Sequence, residues 1–293
     1  MELIATRASA LALAQARQVR DALAVAHPDR ALDLLEVRTS GDRLQGISLE
    51  GLEGKGFFTD ALEEALNSGQ AVLAVHSLKD LPVELPEQFT LAAVLFREDP
   101  RDVLISSLGA LSELPEGARV GTDSSRRRAQ VALLRPDLSF EPVRGNIPTR
   151  LAKLDAGRYD ALILAAAGLN RLGLHSRITE FLAPTLCLPA PGQGAIAIET
   201  LRDSPWAQLV RSVNHCETEA AVTAERAFLA ALGGGCRTPI GALASVAGSE
   251  LRLAGVVLGP AGASRVNLTG PVARAAEIGA RAARAVLDQG ARV

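Results

Sequence analysis

The residues of this chain with the most evident chemistry are arginines placed where strands give way to helices. Arg126, Arg127 and Arg128 fall in the first turn of a helix expected after a short strand at 119–121 and a Thr/Ser loop at 122–125. Arg144 and Arg150 bracket the turn around Gly145-Asn146, and Arg171 follows an apolar strand expected over 160–166. Arg7 holds the analogous place after a strand expected at 3–5, just ahead of Ser9, the expected N-cap of a helix over 9–23. A guanidinium presents a planar fork of donors that meets a carboxylate or phosphate at two points. Backbone N–H groups at a helix start add to such an anion site. The helix dipole, in turn, disfavours cations in a first turn by roughly 0.3–1 kcal/mol each. A solvated basic face on an Arg-rich protein explains the same pattern, and both readings stand at this point.

Two further residues carry chemistry. Asp80 follows a continuous apolar run at 71–75 and sits beside Lys79 in the segment His76-Ser77-Leu78-Lys79-Asp80. A carboxylate there can stabilise a developing cation or move a proton, or it can cap an Asp-Leu-Pro turn. Strand alternation points His76 and Ser77 away from each other, and no hydrolase nucleophile elbow is present. Cys236 follows three glycines and precedes Arg237 on what reads as an open loop, where a nearby cation favours thiolate; the alternative is a small buried cysteine. Cys187, flanked by leucines, reads as structural. His215-Cys216 lacks the paired spacing of a zinc site, so no metal is expected. Gly51 to Gly56 reads GLEGKG, without the spacing of a phosphate-binding loop.

These residues need a scaffold. The chain has 293 residues, 48% of them hydrophobic, enough for two or three cores. Apolar strands alternate with helices through two segments of similar layout, an α/β pattern that places sites beyond the C-terminal ends of strands. The expected division is a first domain over 1–95 completed by 189–210, a second over 98–186, and a C-terminal α+β domain over 215–293. In the last, short apolar runs between 240 and 269 predict a three-stranded antiparallel meander, and a helix is expected from Pro271. The segment at 168–171 is expected as a polar loop and 141–143 as a strand.

Composition excludes some classes. Three lysines and 28 arginines against 33 acidic residues give a formal net charge of −2, unlike a nucleic-acid platform. No apolar run reaches membrane-spanning length, and an odd cysteine count with no export-like start points to a reducing cytoplasm.

Taken in order, eight segments resemble the porphobilinogen deaminase (hydroxymethylbilane synthase) family over nearly the whole chain. They are IATRAS at 4–9, GKGFF at 54–58, AVHSLKDLP at 74–82, REDPRD at 97–102, GTDSSRRR at 121–128, VRGNIPTRLAKLDAGRYDALILAAAGLNRLG at 143–173, LPAPGQGA at 188–195 and GGGCRTPIG at 233–241. The resemblance implies two similar periplasmic-binding-protein-like α/β domains around a cleft plus the small C-terminal domain. It implies a monomeric cytoplasmic transferase of tetrapyrrole (heme, porphyrin) biosynthesis that polymerises four porphobilinogen molecules into hydroxymethylbilane with loss of ammonia.

The implied cofactor is one dipyrromethane, joined by a thioether to Cys236. Asp80 takes the catalytic place with Lys79 beside it, and Asp80 together with Ser9, Lys55, Ser124, Arg126, Arg127 and Arg144 holds the cofactor. Arg7, Arg144, Arg150 and Arg171 hold the growing chain, whose rings each carry two carboxylates. Asp123 and Ser125 depart from the family's usual Ser-Ser-Leu-Arg-Arg pattern. The implied partners are porphobilinogen and pyrrole-chain intermediates, with no metal, nucleic acid or membrane. Two other readings compete: a noncatalytic anion-binding protein of paired-domain architecture, and a DNA-binding regulator acting through the Arg-rich helix.

Overall fold

The computed structural model describes residues 1–38, 59–234, 238–259 and 262–291. The chain forms two compact units, Met1–Arg97 with Ala195–Glu219, and Glu98–Gly194 with Ala220–Val293. The first pass through unit 1 gives β1 (Glu2–Arg7), α1 (Ala10–Ala26), β2 (Leu32–Val37), α2 (Asp60–Asn67), β3 (Leu73–Ser77), a single 3-10 turn at Leu78–Asp80, and β4 (Phe89–Val94). Unit 2 follows with β5 (Asp102–Ser106), β6 (Arg119–Gly121), α3 (Ser125–Leu134), β7 (Ser139–Glu141), α4 (Ile147–Asp155), β8 (Ala161–Ala165), α5 (Ala166–Arg171) and β9 (Glu180–Phe181). The chain then returns to unit 1 with β10 (Ile196–Leu201) and α6 (Pro205–Leu209). Helix α7 (Cys216–Ala231), strands β11 (Ile240–Ala247), β12 (Glu250–Gly259) and β13 (Gly262–Pro271), and helix α8 (Ala275–Asp288) complete it.

The two five-stranded sheets share one plan. In unit 1 the order is β2-β1-β3-β10-β4, with β1, β2 and β3 parallel and β10 antiparallel to both its neighbours. In unit 2 the order is β7-β6-β8-β5-β9, with β6, β7 and β8 parallel and β5 antiparallel to β8. Each sheet thus takes its antiparallel strand after the chain has visited the other unit. This is the pair of similar α/β domains expected from the resemblance. The third sheet, β11-β12-β13, is the antiparallel meander.

Strand alternation fills both faces of each large sheet. Ile4, Leu73 and Ile198 pack with Val19, Leu23 and Trp206 on one face of unit 1, while Ala5 and Ala74 meet Leu62, Leu66 and Phe89 on the other. In unit 2, Leu104 and Ile163 face Val131, whereas Val103, Leu162 and Leu164 face Leu151 and Leu169. Burial on both faces is why these strands read as unbroken apolar runs. The meander packs on Phe228 of α7 and Ile278 of α8, and a side chain at Gly279 would collide with the Ala224 carbonyl.

Some boundaries differ from expectation. The segment 168–171 is not a loop but the last four residues of α5, because the alanines at 165–167 favour helix and carry it forward. Strand β7 ends at Glu141, since Pro142 has no N–H to continue a ladder. Strand β3 runs 73–77 rather than 71–75, and a 3-10 turn at Val272–Arg274 precedes α8. Strand β5 was not anticipated at all; its apolar stretch begins with the charged Asp102.

Candidate active site

In unit 1 the parallel strands β1 and β3 are neighbours, with Ile4 opposite Leu73 and Ala5 opposite Ala74, so their C-terminal ends share one sheet edge. Arg7 closes β1 there, half-buried. Ser9 caps α1, its Oγ accepting from Ala12 N at 3.3 Å, which leaves its O–H free to donate. Beyond β3 the chain makes the 3-10 turn Leu78–Asp80, closed by Leu81 N–H donating to the Leu78 carbonyl at 3.1 Å. Backbone atoms make the turn, so Asp80 is not needed to cap it. Leu78 is fully buried and anchors the turn by about 1.5–3 kcal/mol, while Lys79 is half-buried and Asp80 exposed. The alternation expected of His76 and Ser77 holds. His76 Nε2 lies 2.9 Å from the buried Glu199 Oε2 on β10, and Ser77 Oγ takes a 2.9 Å hydrogen bond from Gln15 of α1.

In unit 2 the ends of β6, β7 and β8 likewise share one edge. Ser124 caps α3, its Oγ accepting from Arg127 N at 3.4 Å. Asn146 caps α4, accepting from Thr149 N at 2.9 Å, with Pro148 in the first turn where its missing N–H costs nothing. Arg144 and Arg150 are half-buried on either side of this cap, and Arg150 Nε donates to Gly145 O at 2.7 Å. Arg171 ends α5 and its Nη2 donates to Gly194 O at 2.7 Å. Burial pushes the Arg171 guanidinium down to about 10 against the pull of Glu98, so it stays protonated at neutral pH. Gly194 sits at φ +89°, and a Cβ there would collide with Glu98 O.

Arg144 Nε also lies 3.6 Å from Asp123 Oδ2, one of the residues that depart from the family's pattern. Asp123 therefore competes with any carboxylate ligand for Arg144. Such a half-exposed pair is worth about 0–1 kcal/mol, so Asp123→Ser should lower KM for a polycarboxylate ligand by up to about fivefold with kcat unchanged. Steady-state titration of the variant checks this; an unchanged KM would show that Asp123 does not compete.

Arg126 and Arg127 are the surprise. Both are buried, at 4% and 7% exposure, and both meet Asp102, which is 0% exposed. Arg126 Nη1 donates to Asp102 Oδ2 at 2.7 Å and to Leu188 O at 2.6 Å. Arg127 reaches Asp102 Oδ1 through Nε at 2.9 Å and Nη2 at 2.7 Å, and its Nη1 donates to Ile163 O at 3.1 Å. Burial alone would raise the Asp102 carboxyl; the two guanidiniums outweigh it and hold the group well below the usual carboxylate range. Only Arg128 of the three is exposed. Asp102 answers the dipole problem of cations in a first turn, and sequence reasoning missed it. The signal was there: a charged residue opening the apolar run DVLIS.

Gln193, in the Pro/Gly-rich connector, is also drawn in. Its Nε2 donates to Asp102 Oδ1 at 2.9 Å and to Pro100 O at 2.7 Å. The connector is held in turn by the buried Glu225 of α7, which accepts from Gly192 N and Ala244 N, each at 2.7 Å.

Of the cysteines, Cys187 is buried, its Sγ 3.5 Å from Asp102 Oδ2, and burial with that carboxylate pushes its thiol up to about 12. Cys216 is exposed at the start of α7. A maleimide at pH 8 should therefore modify Cys216 in the folded chain and spare Cys187 until unfolding; peptide mapping reads the difference, and labelling of folded Cys187 would contradict its burial. Because folding raises this thiol from 9.0 to about 12, its contribution to stability is complete below pH 9 and lost as the pH climbs toward 12. Cys236 and Lys55 lie outside the described residues. The helix leading to Cys236 ends with Gly233 at φ +63°, a left-handed cap that suits glycine, and a Cβ on Gly234 would crowd Ile240 and Leu229. Among the described residues no group of three or more His, Cys, Asp or Glu is arranged to hold a metal, and no helix is long and apolar enough to cross a membrane.

Comparison with known proteins places these residues in a family. Residues 3–208 match the family model described as porphobilinogen deaminase, dipyromethane cofactor binding domain, and residues 220–288 match porphobilinogen deaminase, C-terminal domain. The chain is 46% identical to the porphobilinogen deaminase of Chromobacterium violaceum, over 99% of this chain and 95% of that protein. It is 50% identical to that of Nitrobacter hamburgensis, over 98% and 92% respectively. Among solved structures, the periplasmic aliphatic sulphonate binding protein SsuA from Escherichia coli aligns over 78% of this chain and 69% of that chain, with 14% identity and a TM-score of 0.42. With both of its segments matched in order and near half of its residues shared, the chain belongs to the porphobilinogen deaminase family.

Proposed function

We propose that this chain is a transferase that joins four porphobilinogen molecules head to tail, releases one ammonia per addition and yields linear hydroxymethylbilane. The observation that carries this reading is the grouping of donors at the two sheet edges. Arg7, Ser9, Lys79 and Asp80 gather on one, and Ser124, Arg144, Arg150 and Arg171 on the other. Each group, taken by itself, offers partners for carboxylates, and Asp80 in the first offers an acceptor for pyrrole N–H groups. A dipyrromethane on Cys236, joined by a thioether, supplies when bound the free pyrrole α-carbon on which the chain grows.

The protein's own residues then do three things. Arg7, Arg144, Arg150 and Arg171 take the acetate and propionate groups of incoming rings, and bidentate guanidinium geometry fixes ring orientation as well as position. Ser9, Lys55, Ser124, Arg126, Arg127 and Arg144 hold the carboxylates of the cofactor. Asp80 accepts the pyrrole N–H, stabilises its positive charge as the carbon–nitrogen bond breaks, and helps keep the departing amine protonated. Lys79 lies beside it to offset the growing negative charge.

The buried Cys187 and the odd cysteine count support a reducing, cytoplasmic setting, and the enzyme is read as a monomer. Incubating the purified chain with porphobilinogen tests the function. The expected result is four ammonia molecules released per hydroxymethylbilane formed; binding of porphobilinogen without ammonia release would favour a noncatalytic anion binder.

A further inference from the structure

Asp102 has no place in the roles above, yet its carboxylate is the most heavily engaged in unit 2. It opens β5 opposite Ala165 of β8, next to the edge where Arg171 and Ser124 lie. Oδ2 accepts from Arg126 Nη1, and Oδ1 accepts from Arg127 Nε and from Gln193 Nε2, with Arg127 Nη2 in ion-pair contact at 2.7 Å. The Cys187 thiol is 3.5 Å away. Three separate segments of chain are therefore tied to a single carboxylate: the first turn of α3, the connector at 189–194, and β5 itself.

The guanidiniums are held in plane by a second bond each, Arg126 to Leu188 O and Arg127 to Ile163 O. Arg126 is bound through Nη1, and among the described residues its Nε and Nη2 edge makes no hydrogen bond. Two cations against one anion leave the locus net positive. We propose that Asp102 is a positioning residue: it fixes the Arg126 and Arg127 guanidiniums so that their remaining N–H groups meet the carboxylates of the bound pyrrole chain. This inference rests on the reading of those arginines as carboxylate binders.

Asp102→Asn is close to isosteric but removes the charge and turns one oxygen into a donor. That donor must face either Arg126 Nη1 or the Arg127 fork, so one guanidinium loses its seat. Asp102→Glu keeps the charge and moves it by one methylene. The test uses the chain as expressed, with three readouts: the fraction carrying the covalent cofactor by intact-protein mass, KM and kcat per loaded chain for porphobilinogen, and thermal melting.

Asp102→Asn is expected to lower the loaded fraction and raise KM by about tenfold, the scale of one lost charge-assisted hydrogen bond, with kcat per loaded chain within about threefold. Asp102→Glu should recover part of the loading. In an Arg126→Gln background, Asp102→Asn should raise KM by less than it does alone, because the two act through the same contact. A normal loaded fraction and KM in Asp102→Asn, or a fall in melting temperature with neither of them changed, overturns the proposal. If Asp102→Asn does not fold, Asp102→Glu carries the test, and an unchanged KM there overturns it equally. Arg144→Gln separates the two levels. If it too leaves loading and KM unchanged, the carboxylate-binding reading itself fails; if it raises KM while the Asp102 variants do not, only the role of Asp102 fails.

Discussion

Asp80→Ala lowers kcat per loaded chain by about 10²–10⁴-fold, with secondary structure and melting temperature close to those of the parent. The range is that of a positioned acid–base group or a charge-stabilising partner removed from its reaction. The fold is spared because the turn that carries Asp80 is closed by backbone, from Leu81 N to Leu78 O, and anchored by the buried Leu78. Asp80→Asn keeps the shape but only half of the acceptor capacity and none of the charge, so it should stay nearer to the alanine variant than to the parent. Rapid-quench kinetics on loaded enzyme gives the comparison. If either variant assembles substrate within tenfold of the parent rate, Asp80 is not the group that stabilises the reacting pyrrole.

Much of this scaffold is legible in the residues themselves. Buried parallel strands announce themselves as apolar runs, and Ser9, Ser124 and Asn146 announce helix starts because short polar side chains satisfy open N–H groups there. What was not legible were long-range partners. Nothing local tells Arg126 and Arg127 that Asp102, on the antiparallel strand β5, will lie beneath them, since pairing of β5 with β8 is a property of the whole sheet. The same holds for Glu225, which accepts from backbone N–H groups 33 and 19 residues away along the chain. Loop and helix were confused at 168–171 because the polar residues Asn170 and Arg171 hid the alanines that start α5.

The arginines divide accordingly into two kinds. Arg126 and Arg127 are buried and share the buried Asp102 carboxylate, whereas Arg7, Arg144, Arg150 and Arg171 are half-buried, with Arg144 3.6 Å from the more exposed Asp123. Breaking a buried pair by removing one partner costs about 3–5 kcal/mol, because the other charge is left stranded. Substitutions at Arg126 or Arg127 should therefore weaken the fold as well as ligand binding.

The second large effect concerns Cys236. In sequence it follows the left-handed cap at Gly233 by three residues. Cys187 is a poor candidate for attachment, with its thiol pushed up to about 12 in the interior, but Cys216 is exposed and free and must be separated experimentally. Cys236→Ala is expected to abolish turnover, since no primer is then held, while Cys216→Ala leaves it unchanged. The most direct measurement is the intact mass of the denatured chain from cells able to make porphobilinogen. The parent and Cys216→Ala should each carry the added mass of two linked pyrrole units and Cys236→Ala none; an unmodified parent, or an addition that survives in Cys236→Ala, would contradict a chain built on that cysteine.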